Sequence, residues 1–344
     1  MVHGDKVKLS AGNHLVTMLL GLWLIVGVFI DGWAHENLDS TLETFFTPWH
    51  AILYSGYIAS ASWLGWLIYR NRKKGHVGLM NALPNGYGLG FIGAIIFAIG
   101  GVLDALWHIV LGIEVGIEAL YSPTHLLLFL GGTLIVISPF RALWRELGVS
   151  PQLKELILAL LSMATGTSVT AFFAMNFWAF NSFNPLSKFD DITDMHLKRL
   201  IIEQSHINGI AGILITNMIL LVPMIWMARR WVMPFGSYTL LLSLPMSLMS
   251  ILSGNFFMIM IGIISGFIAD LIYKIWQVKP TLAYKNHTIF TIVPFCLFGL
   301  YFLVLQLASS GIVWNPEFWG GSIVLTMFSG LTLSVFAFKE PVYE

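Results

Sequence analysis

The chain has 344 residues, 57% of them hydrophobic and 10% charged, with a mean hydropathy of +0.79; ordinary soluble domains carry roughly 25% charged residues. That composition excludes a soluble globular protein and makes the lipid bilayer the expected surroundings. The 18 basic and 18 acidic residues balance, and no basic stripe with interleaved aromatics marks a nucleic-acid partner.

A bilayer core of about 30 Å takes about 20 apolar residues per helix. Windows of that length fall near 15–35, 48–69, 87–111, 123–143, 155–179, 204–228, 236–253, 256–277, 288–309 and 318–338. The chain therefore reads as an all-α polytopic membrane protein with about ten spans. The first 14 residues are polar, and the first apolar run lacks a small-residue cleavage site, so it reads as a retained span. The stretch 240–273 is long enough for two helices turning near Ser253, Gly254 and Asn255, or for one kinked or re-entrant element. With the N-terminus inside, 15 of the 18 Lys/Arg residues fall in cytoplasmic segments, and only Lys188, Lys198 and Arg199 fall outside. The positive-inside rule then predicts cytoplasmic termini.

An internal template recurs. "DGWAHENLDSTLETFFTPWHAILYSG" (31–56) and "DALWHIVLGIEVGIEALYSPTHLLLFLG" (104–131) share an Asp, a His four residues on, a Ser/Thr-Pro-x-His, and a Gly six residues after that second His. A degraded third copy runs from Asn176 to "SHINGIAG", with Phe180 where a His would stand, His206 as the second His and Gly212 six residues later. The copies start 73 and 72 residues apart. The expected organisation is a domain over 1–230, built from hairpins at 15–70, 87–143 and 155–228, followed by a four-helix region over 231–344.

An Asp and a His four residues apart share one helix face. Thr47 and Ser122 read as N-caps with Pro48 and Pro123 in the first helical turn, which brings His50 and His125 in from the next helix. Each hairpin so presents two imidazoles and a carboxylate: Asp31, His35 and His50 in one, Asp104, His108 and His125 in the other. Such a set suits copper, iron or zinc with open coordination positions. The single cysteine, Cys296, offers neither an internal disulfide nor a thiolate cage. Glu203 with His206 reads either as an additional ligand pair or as a hydrogen-bonded packing pair. Glu114 and Glu118, and Glu36, Asp39 and Glu43, read as an outer proton path or a solvated face. The 13 Trp and 15 Met read as interfacial and packing residues. His3, His14, His76 and His287 fall on the cytoplasmic side, and His196 in an outer surface loop.

At the two triads the sequence resembles the C subunit of the copper membrane monooxygenases, the particulate methane and ammonia monooxygenase family. That subunit carries an Asp-x3-His followed by Thr-Pro-Ser-His, and later an Asn-x3-His followed by Pro-Leu-His. "DALWH…YSPTH" is similar to the first and "DGWAH…FFTPWH" to the second, with the motif order exchanged and Asp31 where the family has Asn. The similarity covers about residues 20–140. It implies copper bound by Asp31, His35, His50, Asp104, His108 and His125, oxidation of a small apolar substrate arriving through the lipid, and further subunits or a homo-oligomer. Read from the residues alone, two other functions stay open. One is a zinc-dependent intramembrane hydrolase, using a metal-bound water. The other is a non-catalytic metal carrier or sensor, although span centres nearly free of charge disfavour a transport path.

Overall fold

The computed structural model describes residues 7–38, 47–112, 116–181, 184–309 and 311–338. Glu114, Asp39, Glu43 and His3 lie outside them. Among the described residues the protein is helical throughout, with no strand. It is an all-α polytopic membrane protein. Among the described residues, nine helical segments are long and apolar enough to cross a bilayer. The remaining window, 236–253, forms a shorter apolar helix of 17 residues.

The chain divides into two compact units, residues 1–173 and 174–344. The division falls inside the stretch 155–228 that the sequence presents as a third hairpin. In the first unit, α1 (Ala11–Asn37) pairs with α2 (Pro48–Lys73), and α3 (Gly88–Leu111) with α4 (Pro123–Val136). A short α5 (Ser138–Glu146) continues α4, and α6 (Leu153–Phe173) packs on α1, α4 and α5. The interior position of α6 follows from its small side chains; Ala159, Ser162, Ala164, Ser168 and Ala171 are all buried.

Glycines let each pair close. A Cβ on Gly27 would lie 2.6 Å from Leu53 Cα, and one on Gly56 2.7 Å from Leu24 Cα and N. In the other pair, a Cβ on Gly100 would lie 3.2 Å from Leu128 N, and one on Gly131 2.7 Å from Gly93 O and Phe97 N. Gly27 and Gly100 each stand four residues before the aspartate, Gly56 and Gly131 each six after the second histidine. The template's glycine is therefore a crossing point, where one backbone lies directly on the other.

The span predicted at 123–143 is broken at Ile137, between α4 and α5. Pro139 supplies no N–H, and Ser162 of α6 inserts its hydroxyl into the ladder, accepting from Phe140 N (3.1 Å) and donating to Val136 O (2.7 Å). One side chain thus satisfies both ends of a helical bond that the break leaves open. The window 155–179 overruns its helix. The chain leaves α6 after Phe173 for single 3-10 turns at Met175–Phe177 and Ala179–Asn181, because Trp178 and Phe180 bury sideways.

In the second unit, α7 (Met195–Ala228), α8 (Ser237–Ser253), α9 (Phe257–Ile275), α10 (Ala283–Ala308) and α11 (Pro316–Ala337) pack as neighbours, with α7 against α11. Asp194 caps α7 through His196 N (2.8 Å) and Leu197 N (3.1 Å). His196 therefore stands exposed in a first helical turn rather than in a loop. Helices α8 and α9 turn at Gly254, whose φ of 66° suits glycine, so the stretch 240–273 is two helices. Asp270 of α9 holds the start of α8, its carboxylate accepting from Tyr238 N (3.0 Å), Thr239 N (2.9 Å) and Thr239 Oγ1 (2.7 Å).

Candidate metal centre

Each triad is assembled where its helix pair meets its connection. In the first pair, Asp31 and His35 occupy the last turns of α1. Thr47 caps α2, its hydroxyl accepting from His50 N at 3.1 Å and lying 2.9 Å from His50 Nδ1. His35 Nε2 lies 3.8 Å from Asp31 Oδ2, and His50 Nδ1 3.6 Å from Asp31 Oδ1. The two imidazoles meet edge to face, 5.6 Å between centroids. In the second pair, His108 Nε2 lies 3.6 Å from Asp104 Oδ2, and His125 Nε2 3.5 Å from Asp104 Oδ1.

Each triad offers one ligand atom per residue, with all three atoms within 4.8 Å of one another. Spacings of 3.5–3.8 Å are too long for good hydrogen bonds. They suit donors around a shared centre, since two ligands each about 2.1 Å from a tetrahedral metal ion lie about 3.4 Å apart. Two neutral nitrogens and one carboxylate satisfy a divalent transition metal and leave positions open. The residues present therefore fit a metal ion.

The second triad has more behind it. Thr124 donates its hydroxyl to Asp104 Oδ1 at 2.9 Å, Ser122 Oγ lies 3.1 Å from Thr124 Oγ1, and Ser122 Oγ lies 2.9 Å from His125 Nδ1. A carboxylate only accepts, so the chain runs one way: His125 Nδ1–H to Ser122, Ser122 O–H to Thr124, Thr124 O–H to Asp104. That direction places the proton on Nδ1 and leaves the lone pair on Nε2, the nitrogen facing Asp104. In the first triad Trp49 stands where Thr124 stands in the second. An indole N–H donates but accepts nothing, so no such chain passes through it. The triads differ in exposure too. Asp104 is 1% exposed at its side chain and Asp31 14%; of the histidines, His35 reaches 35% and His125 26%, against 10% for His50 and 7% for His108.

Tyr54 links the two helix pairs. It stands one turn beyond His50 and stacks on it, 6.2 Å between centroids and 16° between planes. Its ring fills the space beside Gly101, where a Cβ would lie 2.9 Å from Tyr54 Cε1, and it meets Phe97 edge-on at 6.4 Å. Gly101 is one turn before Asp104, and the phenol lies within electrostatic reach of both Asp31 and Asp104. Neither Thr124 nor Tyr54 emerges from the ligand template. The only sequence signal for either is position, Thr124 inside Ser-Pro-x-His and Tyr54 four residues after a ligand on the same helical face.

Glu203 and His206 both lie on α7, but they join no third group of metal-ligating type among the described residues. Glu203 accepts from Arg199 Nε at 2.9 Å on the exposed surface. His206 packs against Phe318, 4.6 Å between centroids, and edge-on to Trp314. Phe180, in the place of the missing histidine, stacks on Phe298. Glu36 and Glu118 are exposed.

At the other end of the first unit lies a buried polar network that no motif announces. His14 Nδ1 lies 2.9 Å from Tyr87 Oη, which also donates to Thr17 Oγ1 at 3.4 Å, while Trp63 Nε1 donates to Thr17 at 2.9 Å. It ties the start of α1 to α2 and to the residue preceding α3. Comparisons of the chain with protein-family models, with curated proteins and with solved structures each find no match.

Proposed function

We propose that the protein is a membrane metalloprotein holding a transition-metal ion in each Asp/His/His triad, copper before zinc or iron, and acting as a monooxygenase-like oxidoreductase on a small apolar substrate. The observation that carries the metal reading is the paired geometry: two triads, from two helix pairs, each with three donor atoms within 4.8 Å. Support for copper and for oxygen chemistry comes from the similarity of the two motifs to the copper monooxygenase C subunit. Copper bound to nitrogen and carboxylate donors supplies one-electron chemistry toward dioxygen.

The chain's own residues do the positioning. Histidines 35, 50, 108 and 125 serve as neutral nitrogen donors, and Asp31 and Asp104 as the anions that balance a cation's charge. Thr47 and Ser122 set the first turns that aim His50 and His125. Beside the second triad, Leu106, Ile109, Val110 and Leu111 present an exposed apolar surface, which suits a substrate dissolved in the lipid. The triads lie at the end of the first helix pair away from Arg70, Arg72 and Lys73, which supports an outward-facing site with the basic end in the cytoplasm.

Elemental analysis and electron paramagnetic resonance of the purified protein test this reading. Bound copper that falls by the second triad's share in His108→Ala and in His125→Ala is the expected result. A folded protein with no transition metal, or with occupancy unchanged in both variants, refutes it.

A further inference from the structure

The two triads carry the same ligand types but not the same surroundings, and the difference has a direction. Asp104 is held from behind by Thr124, and His125 is held from behind by Ser122, with the two hydroxyls joined. Metal binding at the second triad therefore finds its histidine already in the right tautomer and its carboxylate already oriented. At the first triad Thr47 faces His50 Nδ1 at the same 2.9 Å, but with Trp49 in place of Thr124 no hydroxyl relay to the aspartate fixes which of the two donates, and selecting one tautomer costs free energy. The near-complete burial of Asp104 also strengthens its pull on a cation, because charge interactions deepen as water is removed. At the first triad, Asp31 is partly exposed and His35 more so. The carboxylate is better screened there, and fixing the histidine costs side-chain entropy.

We propose that the triads form a hierarchy: Asp104, His108 and His125 make the high-affinity site that fills first, and Asp31, His35 and His50 a weaker site that exchanges its ion. Thr124 is the positioning residue that sets the difference. This rests on the metal-binding reading above and adds to it an order of loading and a residue outside the ligand set. Outer-shell partners of metal-bound histidines and carboxylates contribute about 10–100-fold in affinity, and that is the gap assigned to the hydroxyl chain. The weaker, more exposed site is the one suited to releasing its ion or to accepting an exogenous ligand.

The test uses the full chain in detergent, with zinc(II) and copper(I) each titrated alone against a chromophoric chelator. Asp31→Ala/His35→Ala leaves only the second site, and His108→Ala/His125→Ala only the first. The second site alone should bind more tightly than the first by about 10–100-fold. Within the Asp31→Ala/His35→Ala protein, Thr124→Val, which keeps the shape and removes the hydroxyl, should weaken binding by a similar factor. Thr124→Ser, which restores the hydroxyl, should recover it. A thermal melt of each variant separates loss of fold from loss of affinity, and the Val/Ser comparison stands even where the double variants are destabilised. Equal affinities, a tighter first site, or a folded Thr124→Val that binds as before overturns the hierarchy and leaves metal binding standing. Failure of the intact protein to bind either ion overturns both.

Discussion

Gly56→Ala and Gly65→Ala place the same methyl group on one helix with opposite expected results. At Gly56 the new Cβ would sit 2.7 Å from both Cα and N of Leu24. Those are backbone atoms, so no side chain can swing aside. Restoring an ordinary contact requires α1 and α2 to part by about 1 Å, and overpacking of this kind costs about 1–3 kcal/mol. Alanine recovers at most about 1 kcal/mol through helix propensity, so the variant should be less stable by about 1–2 kcal/mol. At Gly65 a Cβ meets nothing within 4 Å, and Gly65→Ala should be neutral or more stable. Because His50 and Asp31 stand on the two helices that would part, Gly56→Ala should also lengthen the 3.6 Å separation of His50 Nδ1 from Asp31 Oδ1 and weaken the first triad alone. Reversible unfolding in mixed detergent micelles and a metal titration measure the two effects. Equal stability of the two variants, or a Gly56→Ala protein that keeps full affinity at the first triad, would refute the reasoning.

Asp270→Ala leaves one buried and one part-buried backbone donor at the start of α8 without their acceptor. A loss of about 2 kcal/mol or more is expected in the same unfolding assay, with metal content unchanged. Tyr87→Phe removes the hydroxyl that meets buried His14 and should cost about 1–3 kcal/mol; an unaltered melt would show that the contact contributes nothing. Metal occupancy should fall on acidification from about pH 7.5 to about pH 5, because protons compete with the ion for the nitrogen and carboxylate donors of a triad. Equal retention at the two pH values, read by elemental analysis after equilibration, would argue against histidine ligands.

What was legible in the sequence is what local chemistry decides. The helical class follows from long apolar runs, and both triads from Asp-x3-His followed by an N-capped histidine. Thr47 and Ser122 cap their helices as their position before Pro48 and Pro123 predicts. The features that escaped depend on partners distant in the chain. Nothing near Ile137 announces the break between α4 and α5, since the hydroxyl that stabilises it comes from Ser162, more than twenty residues on. The early end of α6 depends on where Trp178 and Phe180 find cover, and the His14–Tyr87 contact joins residues 73 apart. Thr124 occupies a variable position in the template, so its bond to Asp104 becomes visible only once the second helix pair is closed.

The crossing of α1 and α2 at Gly27 and Gly56 is also a fulcrum. His50 lies six residues to one side of Gly56 and Lys73 seventeen to the other, arms of about 9 Å and about 26 Å at 1.5 Å per residue. A change of crossing angle that draws His50 in by about 0.5 Å carries the basic end of α2 roughly three times as far. The longer lever arm ends in the cluster of arginines and lysines at the opposite end of the helix, so small movements at the triad are magnified there.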